Sequence, residues 1–186
     1  ITNREFELHF QPVIDLNTLE ITSAEALIRW NHPIRGMVYP GDFIQYAQES
    51  GLITRIDAWV IDEACKTAKE WQKNGFHIKV AINITALQFQ HNNIVSNIKS
   101  KIDAYELNAD SIILEITEQM FVQNTELILL QISQLKDVGV EISLDDFGIG
   151  FSSLSYIIRF APHYLKIDRS FISKIGTGPE HDEMVR

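Results

Sequence analysis

Ser111-Ile112-Ile113-Leu114-Glu115-Ile116-Thr117 is a nearly unbroken β-branched and leucine run with one carboxylate set inside it. Continuity of this kind marks a strand of a parallel sheet, covered on its faces, rather than a strand with one wet side. Comparable runs occupy 79–85, 140–145 and 164–168, and helical patterns come before them. Ile94, Ile98 and Ile102 share one helical face, as do Ile128, Ile132 and Leu135, and a shorter helix is predicted over 152–159. A longer helix over 54–73 carries Trp59, Val60, Ala64, Ala68 and Trp71 before Gly75. Strand and helix in alternation specify a parallel sheet covered by helices, an α/β fold.

The beginning of the chain follows another rule. Phe6, Leu8 and Phe10 alternate with Glu7, His9 and Gln11, the turn formers Asp15 to Thr18 follow, and a second strand covers 21–30. So short a link permits only a hairpin, so the first strand should run antiparallel to the second. Asp42 is read as the cap of a helix ending near Gly51.

The 186 residues fit one domain. With 45% hydrophobic residues and a mean hydropathy of -0.04, the composition is that of an ordinary globule, which excludes collagen, coiled coil and disorder. No apolar run reaches the roughly 18 residues of a membrane span, and Arg4, Glu5 and Glu7 stand where a signal peptide would be apolar. A cytoplasmic setting is expected, and the parent protein is allowed a membrane anchor elsewhere. The net charge of -9 opposes DNA binding. Cys65 is the single cysteine, so no internal disulfide can form, and it reads as a buried small hydrophobe. The tail over 176–186, with Gly178, Pro179 and several charges, reads as the start of a connection rather than part of the 1–175 domain.

Polar residues interrupt the strands in a regular way. Glu25, Asn83, Glu115, Asp145 and Lys166 each sit beside apolar neighbours that must face the opposite side. If the sheet curls into a barrel, these side chains point inward near strand C-termini, where barrel active sites are built. Clustered carboxylates cannot all ionise unaided, and one lysine is too little to neutralise them. All-oxygen ligation then favours magnesium or manganese over zinc, and two such ions suit phosphoryl chemistry.

Those residues lie in recognisable blocks. Ala24-Glu25-Ala26-Leu27-Ile28-Arg29-Trp30 resembles the signature of the EAL domain, a bacterial phosphodiesterase family that linearises cyclic di-GMP. Gln11-Pro12-Val13, Asn83-Ile84-Thr85, Glu115-Ile116-Thr117-Glu118, the run from Asp145-Asp146-Phe147-Gly148 to Leu154, and Leu165-Lys166-Ile167-Asp168-Arg169-Ser170-Phe171 follow in the family's order. The resemblance implies a modified TIM barrel with an antiparallel first strand, of which this chain holds about six of eight strands. It implies two Mg2+ or Mn2+ ions, held by Glu25, Asn83, Glu115, Asp145 and Asp146, with Asp145 bridging. It implies that Lys166 positions the attacking water, with Glu25 and Asp145 at the catalytic centre. Gln11, Arg29 and Asp168 would contact cyclic di-GMP, and Glu118 would steady the loop after Asp146. A homodimer and an upstream sensory or cyclase-like domain are further expectations from the family.

The chain also departs from the pattern. Ile149 stands where the family usually has Thr, and Thr85 where Ser is more common. A late strand bearing a glutamate and a final strand bearing a glutamine are missing, roughly sixty residues of a barrel of about 250. An open barrel would expose parallel edges, so the parent is expected to continue, and the fragment alone is open to being inactive. Two other readings compete: a sensor that binds cyclic di-GMP without cleaving it, and an aldolase-like enzyme with a Schiff base on Lys166, which nearby acids disfavour. Gly148-Ile149-Gly150 imitates a dinucleotide fingerprint but has Ser153 at the third glycine position, and the Asn83-Ile84-Thr85 sequon falls inside a strand.

Overall fold

The computed structural model describes residues 4–90, 94–122, 125–148, 158–159 and 161–178. Strands β1 (Phe6–Ile14) and β2 (Ile21–His32) form the antiparallel hairpin. Their link is an Asx-turn: Asp15 Oδ1 accepts from the backbone N–H groups of Asn17, at 2.7 Å, and Thr18, at 3.0 Å. β2 runs on to His32 and takes a short partner, β3 (Gly36–Val38), which the periodicity did not signal. Helix α1 (Pro40–Glu49) then begins with Pro at its first position. Its cap residue is Tyr39, with no side-chain cap bond, which corrects the reading of Asp42 as the cap. Asp42 lies in the first turn, where a carboxylate meets the positive end of the helix dipole.

Helix α2 (Ile53–Lys73) leads into β4 (Lys79–Asn83). This strand stops two residues short of the predicted end, because Thr85 opens helix α3 (Ala86–Gln90). Its backbone N–H donates to Gln88 Oε1 at 2.8 Å, half of a Thr-x-x-Gln capping box. The order continues through α4 (Ile94–Tyr105), β5 (Ile112–Thr117), α5 (Thr125–Val138), β6 (Glu141–Phe147), β7 (Tyr164–Ile167) and α6 (Arg169–Ile172). Short 3-10 turns precede β5 at Ala109–Ser111 and follow it at Glu118–Val122. The helix predicted over 152–159 falls mostly outside the described residues, as does the third position of the Gly148 fingerprint.

The sheet order is β1-β2-β4-β5-β6-β7, with β3 beside β2, and every pairing from β2–β4 to β6–β7 is parallel. This is an α/β partial TIM-type barrel whose first strand, like the short β3, runs against the parallel strands. Its helix-facing layer is dry: Val80, Ile82, Ile112, Leu114 and Ile142 have no exposed surface. They pack with Ala64, Cys65, Ala68, Ile98 and Leu135, and each fully buried Ile or Leu contributes about 1.5–3 kcal/mol. Burial pushes the Cys65 thiol up to about 12, so it behaves as the hydrophobe its pattern implied. Among the described residues no helix is long and apolar enough to cross a membrane.

Candidate active site

The pleat decides which side chains share the inner face. In β4, Val80 and Ile82 go to the helices, so Lys79, Ala81 and Asn83 turn the other way. The same alternation turns Glu115 of β5, Glu141, Ser143 and Asp145 of β6, and Lys166 of β7 inward. Register then stacks them. Asn83 is paired with Glu115, and Gln11 of β1 with Glu25 of β2.

The inner face converges on one ammonium. Lys166 Nζ donates to Glu115 Oε2 at 2.7 Å, Glu25 Oε2 at 3.0 Å and Asp145 Oδ2 at 3.0 Å. Glu25, Glu115 and Asp145 each offer an oxygen within 4.8 Å of the others. Asn83 Nδ2 donates to Glu25 Oε1 at 2.7 Å, so its amide oxygen is the atom turned away from that bond. Five sequence-predicted residues from five strands therefore meet.

The electrostatics of the cluster are unbalanced. Glu115 is only 5% exposed, and burial, assisted by the charges of Glu25 and Asp145, pushes its carboxyl up to about 7 against the pull of Lys166. Burial alone would lower the Lys166 pKa, but its bonds to Glu115, Glu25 and Asp145 outweigh that and hold it above the ordinary lysine value. One lysine gathers three carboxylates without fully neutralising them.

Asp146 joins through an irregularity. Leu144 pairs with Leu165 but Phe147 with Ile167, so β6 holds one residue more than β7 across this step. That is a β-bulge, which breaks strict alternation and re-aims side chains. Asp146 takes a φ of 56°, rare outside glycine. Burial and the neighbouring Asp145 and Asp168 carboxylates raise its pKa.

The remaining predicted residues surround this centre. Glu118 Oε1 accepts from Gly148 N–H at 3.4 Å, holding the first turn after Asp146. Arg29 Nη1 donates to the Ile28 carbonyl at 2.9 Å, and its guanidinium lies 5.0 Å from the Tyr39 ring centroid. Asp168 Oδ1 accepts from Ser170 N–H at 2.7 Å, capping α6 and lowering its own pKa. Gln11 is exposed and opposite Glu25.

Two arrangements were not anticipated. At the opposite end of the inner face, Lys79 Nζ bonds both oxygens of Glu141 at 2.7 Å, and Tyr164 Oη donates to Glu141 Oε2 at 2.8 Å. Lys79 and Glu141 stand four residues ahead of Asn83 and Asp145, in the same period-two phase that revealed the acidic ring. Asp57 of α2 lies 3.4 Å from Thr85 Oγ1, and burial pushes its carboxyl up to about 6. A cavity of about 560 Å3 lined by Phe6, Leu8, Phe10 and Trp59 lies between β1 and α2, away from the acidic cluster.

Comparison with known proteins agrees with this geometry. The family model described as EAL domain matches residues 1–186. The chain is 44% identical over 184 residues to the signaling protein YkoW of Bacillus subtilis, covering 99% of this chain and 23% of that protein. It is 38% identical over 177 residues to the bifunctional diguanylate cyclase/cyclic di-GMP phosphodiesterase MucR of Pseudomonas aeruginosa, covering 95% and 26%. The chain thus spans about a quarter of the length of these curated relatives. A solved structure of the PaMucR phosphodiesterase in complex with c-di-GMP superposes with a TM-score of 0.93 at 37% identity, covering 99% of this chain and 75% of that one. Strand order, the inward ring of oxygens and these matches agree that the chain belongs to the EAL domain family.

Proposed function

We propose that this chain carries the catalytic core of a metal-dependent phosphodiesterase that hydrolyses cyclic di-GMP to linear pGpG. The observation that carries the reading is the convergence of Glu25, Glu115 and Asp145 within 4.8 Å in a member of this family. The relative MucR, named for that activity, supports the substrate.

The donor set fits a hard divalent ion. Three carboxylates, of Glu25, Glu115 and Asp145, gather round one positive point, filled here by Lys166 Nζ, and the Asn83 amide stands beside them on Glu25. Glu25, Asn83, Glu115 and Asp145 would hold one Mg2+ or Mn2+, and Asp145 with Asp146 a second. When bound, such ions supply positive charge to the phosphate oxygens and make a water molecule acidic enough to attack at neutral pH.

The chain's own residues do the rest. Glu115 gives up the proton that burial favours, since only its carboxylate can ligate. Asn83 steadies Glu25 by its amide N–H. Lys166 donates hydrogen bonds across the cluster and would orient the water that adds to phosphorus as one P–O ester bond breaks. Arg29, lying along Tyr39, would present its planar N–H edge to phosphate, and Gln11 would contact the dinucleotide from β1. Asp168, held by Ser170, would meet a guanine edge.

The test is chromatography of cyclic di-GMP incubated with the full-length parent protein and Mg2+, beside Asp145→Asn. A pGpG peak from the parent and none from the variant is the expected result. Tight binding by the parent without product would replace the enzyme with a sensor.

A further inference from the structure

We infer that Phe171 is a positioning residue for Asp145 and Asp146, acting as a backstop against the backbone of Gly148. Two contacts from distant parts of the chain meet at this glycine. Glu118 accepts its N–H, and the Phe171 ring lies so close to its Cα that a β-carbon built there would meet Cε2 at 2.5 Å and Cζ at 2.7 Å. Gly148 has a φ of 103°, a conformation that other residues rarely adopt. The space a side chain would fill belongs to the ring.

The backstop matters because of what lies two residues upstream. Asp146 sits at φ 56° on the bulge that breaks the β6–β7 register. Such backbone persists only when its surroundings over-determine it. The bulge is closed on one side by the Asp146 N–H to Asp145 Oδ1 bond, 2.9 Å, and by Asp168 N–H to the Phe147 carbonyl, 3.3 Å. Gly148, the most conformationally free residue, would otherwise let the turn unwind. Phe171 removes that freedom from β7's own extension, so Lys166, Asp168 and Phe171 brace the two aspartates from one short segment.

This inference rests on the metal-dependent reading for its consequence and on the contact alone for its structural part, and two measurements separate them. The first is amide exchange of residues 141–148 in metal-free full-length protein. The second is Mn2+ affinity, read from the paramagnetic resonance of free Mn2+. Phe171→Ala should speed exchange in that segment and weaken Mn2+ binding about tenfold or more, the usual effect of losing a group behind a ligand. Phe171→Leu, which keeps most of the apolar bulk, should restore much of both and stands in should the alanine variant fail to fold. Gly148→Ala places a methyl against the ring, so its effect on Mn2+ affinity and that of Phe171→Ala should be strongly non-additive in the double variant. A residue that merely stabilises the fold would lower the melting temperature while leaving Mn2+ affinity unchanged and the pair additive. Unchanged exchange in both Phe171 variants, or additive effects, overturns the proposal. A parent that binds no Mn2+ at all sinks the phosphodiesterase reading, while the exchange data still decide whether Phe171 braces the turn.

Discussion

Asp146 donates its backbone N–H to the Oδ1 of Asp145 at 2.9 Å, so two adjacent acids of one strand are locked to each other where alternation should set them on opposite faces. The extra residue between the Leu144–Leu165 and Phe147–Ile167 pairs makes this possible. Asp and Asn tolerate a positive φ because a short polar side chain can bond locally, whereas a β-branched residue cannot. Asp146→Asn should therefore keep the fold while lowering Mn2+ affinity. Asp146→Val should cost about 1–3 kcal/mol of stability as well, measurable by urea denaturation.

Lys166 is the charge that holds Glu25, Glu115 and Asp145 together in the absence of metal. Lys166→Met leaves these carboxylates without their cation and should destabilise the metal-free protein by about 3 kcal/mol at pH 7. Added Mn2+ should raise the melting temperature of the variant more than that of the native protein. Equal shifts would show that the ammonium and the metal ion do not occupy equivalent places.

On the proposed metal-dependent reading, proton and metal would compete at Glu115. Burial pushes its carboxyl up to about 7, so above that pH the ligand form would already be present, and below it a metal ion would have to displace a proton. Mn2+ affinity should fall about tenfold per pH unit as pH drops below 7 and flatten above it, for as long as this group dominates. Glu115→Gln should bind more weakly and lose that slope. Calorimetric titration between pH 5.5 and 8.5 would reveal either behaviour.

Asp57 bears on stability rather than on ligands. Its folded pKa, about 6, is raised above the ordinary 3.8, so the folded state holds its proton more tightly than the unfolded chain. The stability this contributes is complete below about pH 4 and lost as pH rises through 6. Asp57→Asn keeps the shape without the charge and should be about 1–2 kcal/mol more stable at pH 7, after allowance for solvent screening. The advantage should shrink to nothing near pH 4, as paired melting curves would show.

Much of this was legible because period-two patterns survive in the sequence. Glu115 between the buried Leu114 and Ile116 declares an inward polar position, and Lys166 keeps the same alternation between Leu165 and Ile167, although these two are exposed. The antiparallel hairpin followed from the length of its link. Other features left weaker traces. Three residues, Gly36–Val38, are too few to show a period, and Thr85 looked like the end of a strand although Thr-x-x-Gln marks a helix start. Asp57 lies on an otherwise ordinary amphipathic helix, and only the fold brings it to Thr85. The bulge at Asp145–Asp146 could not be read at all, because one surplus residue shows only against the register of a neighbouring strand.

The charge count at the centre also dictates a sequence of arrivals. Four carboxylates, of Glu25, Glu115, Asp145 and Asp146, face one ammonium, so the mouth of the site repels any phosphate diester that reaches it alone. On the proposed metal-dependent reading, dications would reverse that field before a nucleotide anion settles at the acidic centre. Loading would then be ordered, with cation first and diester second, and raising nucleotide concentration would not substitute for scarce metal.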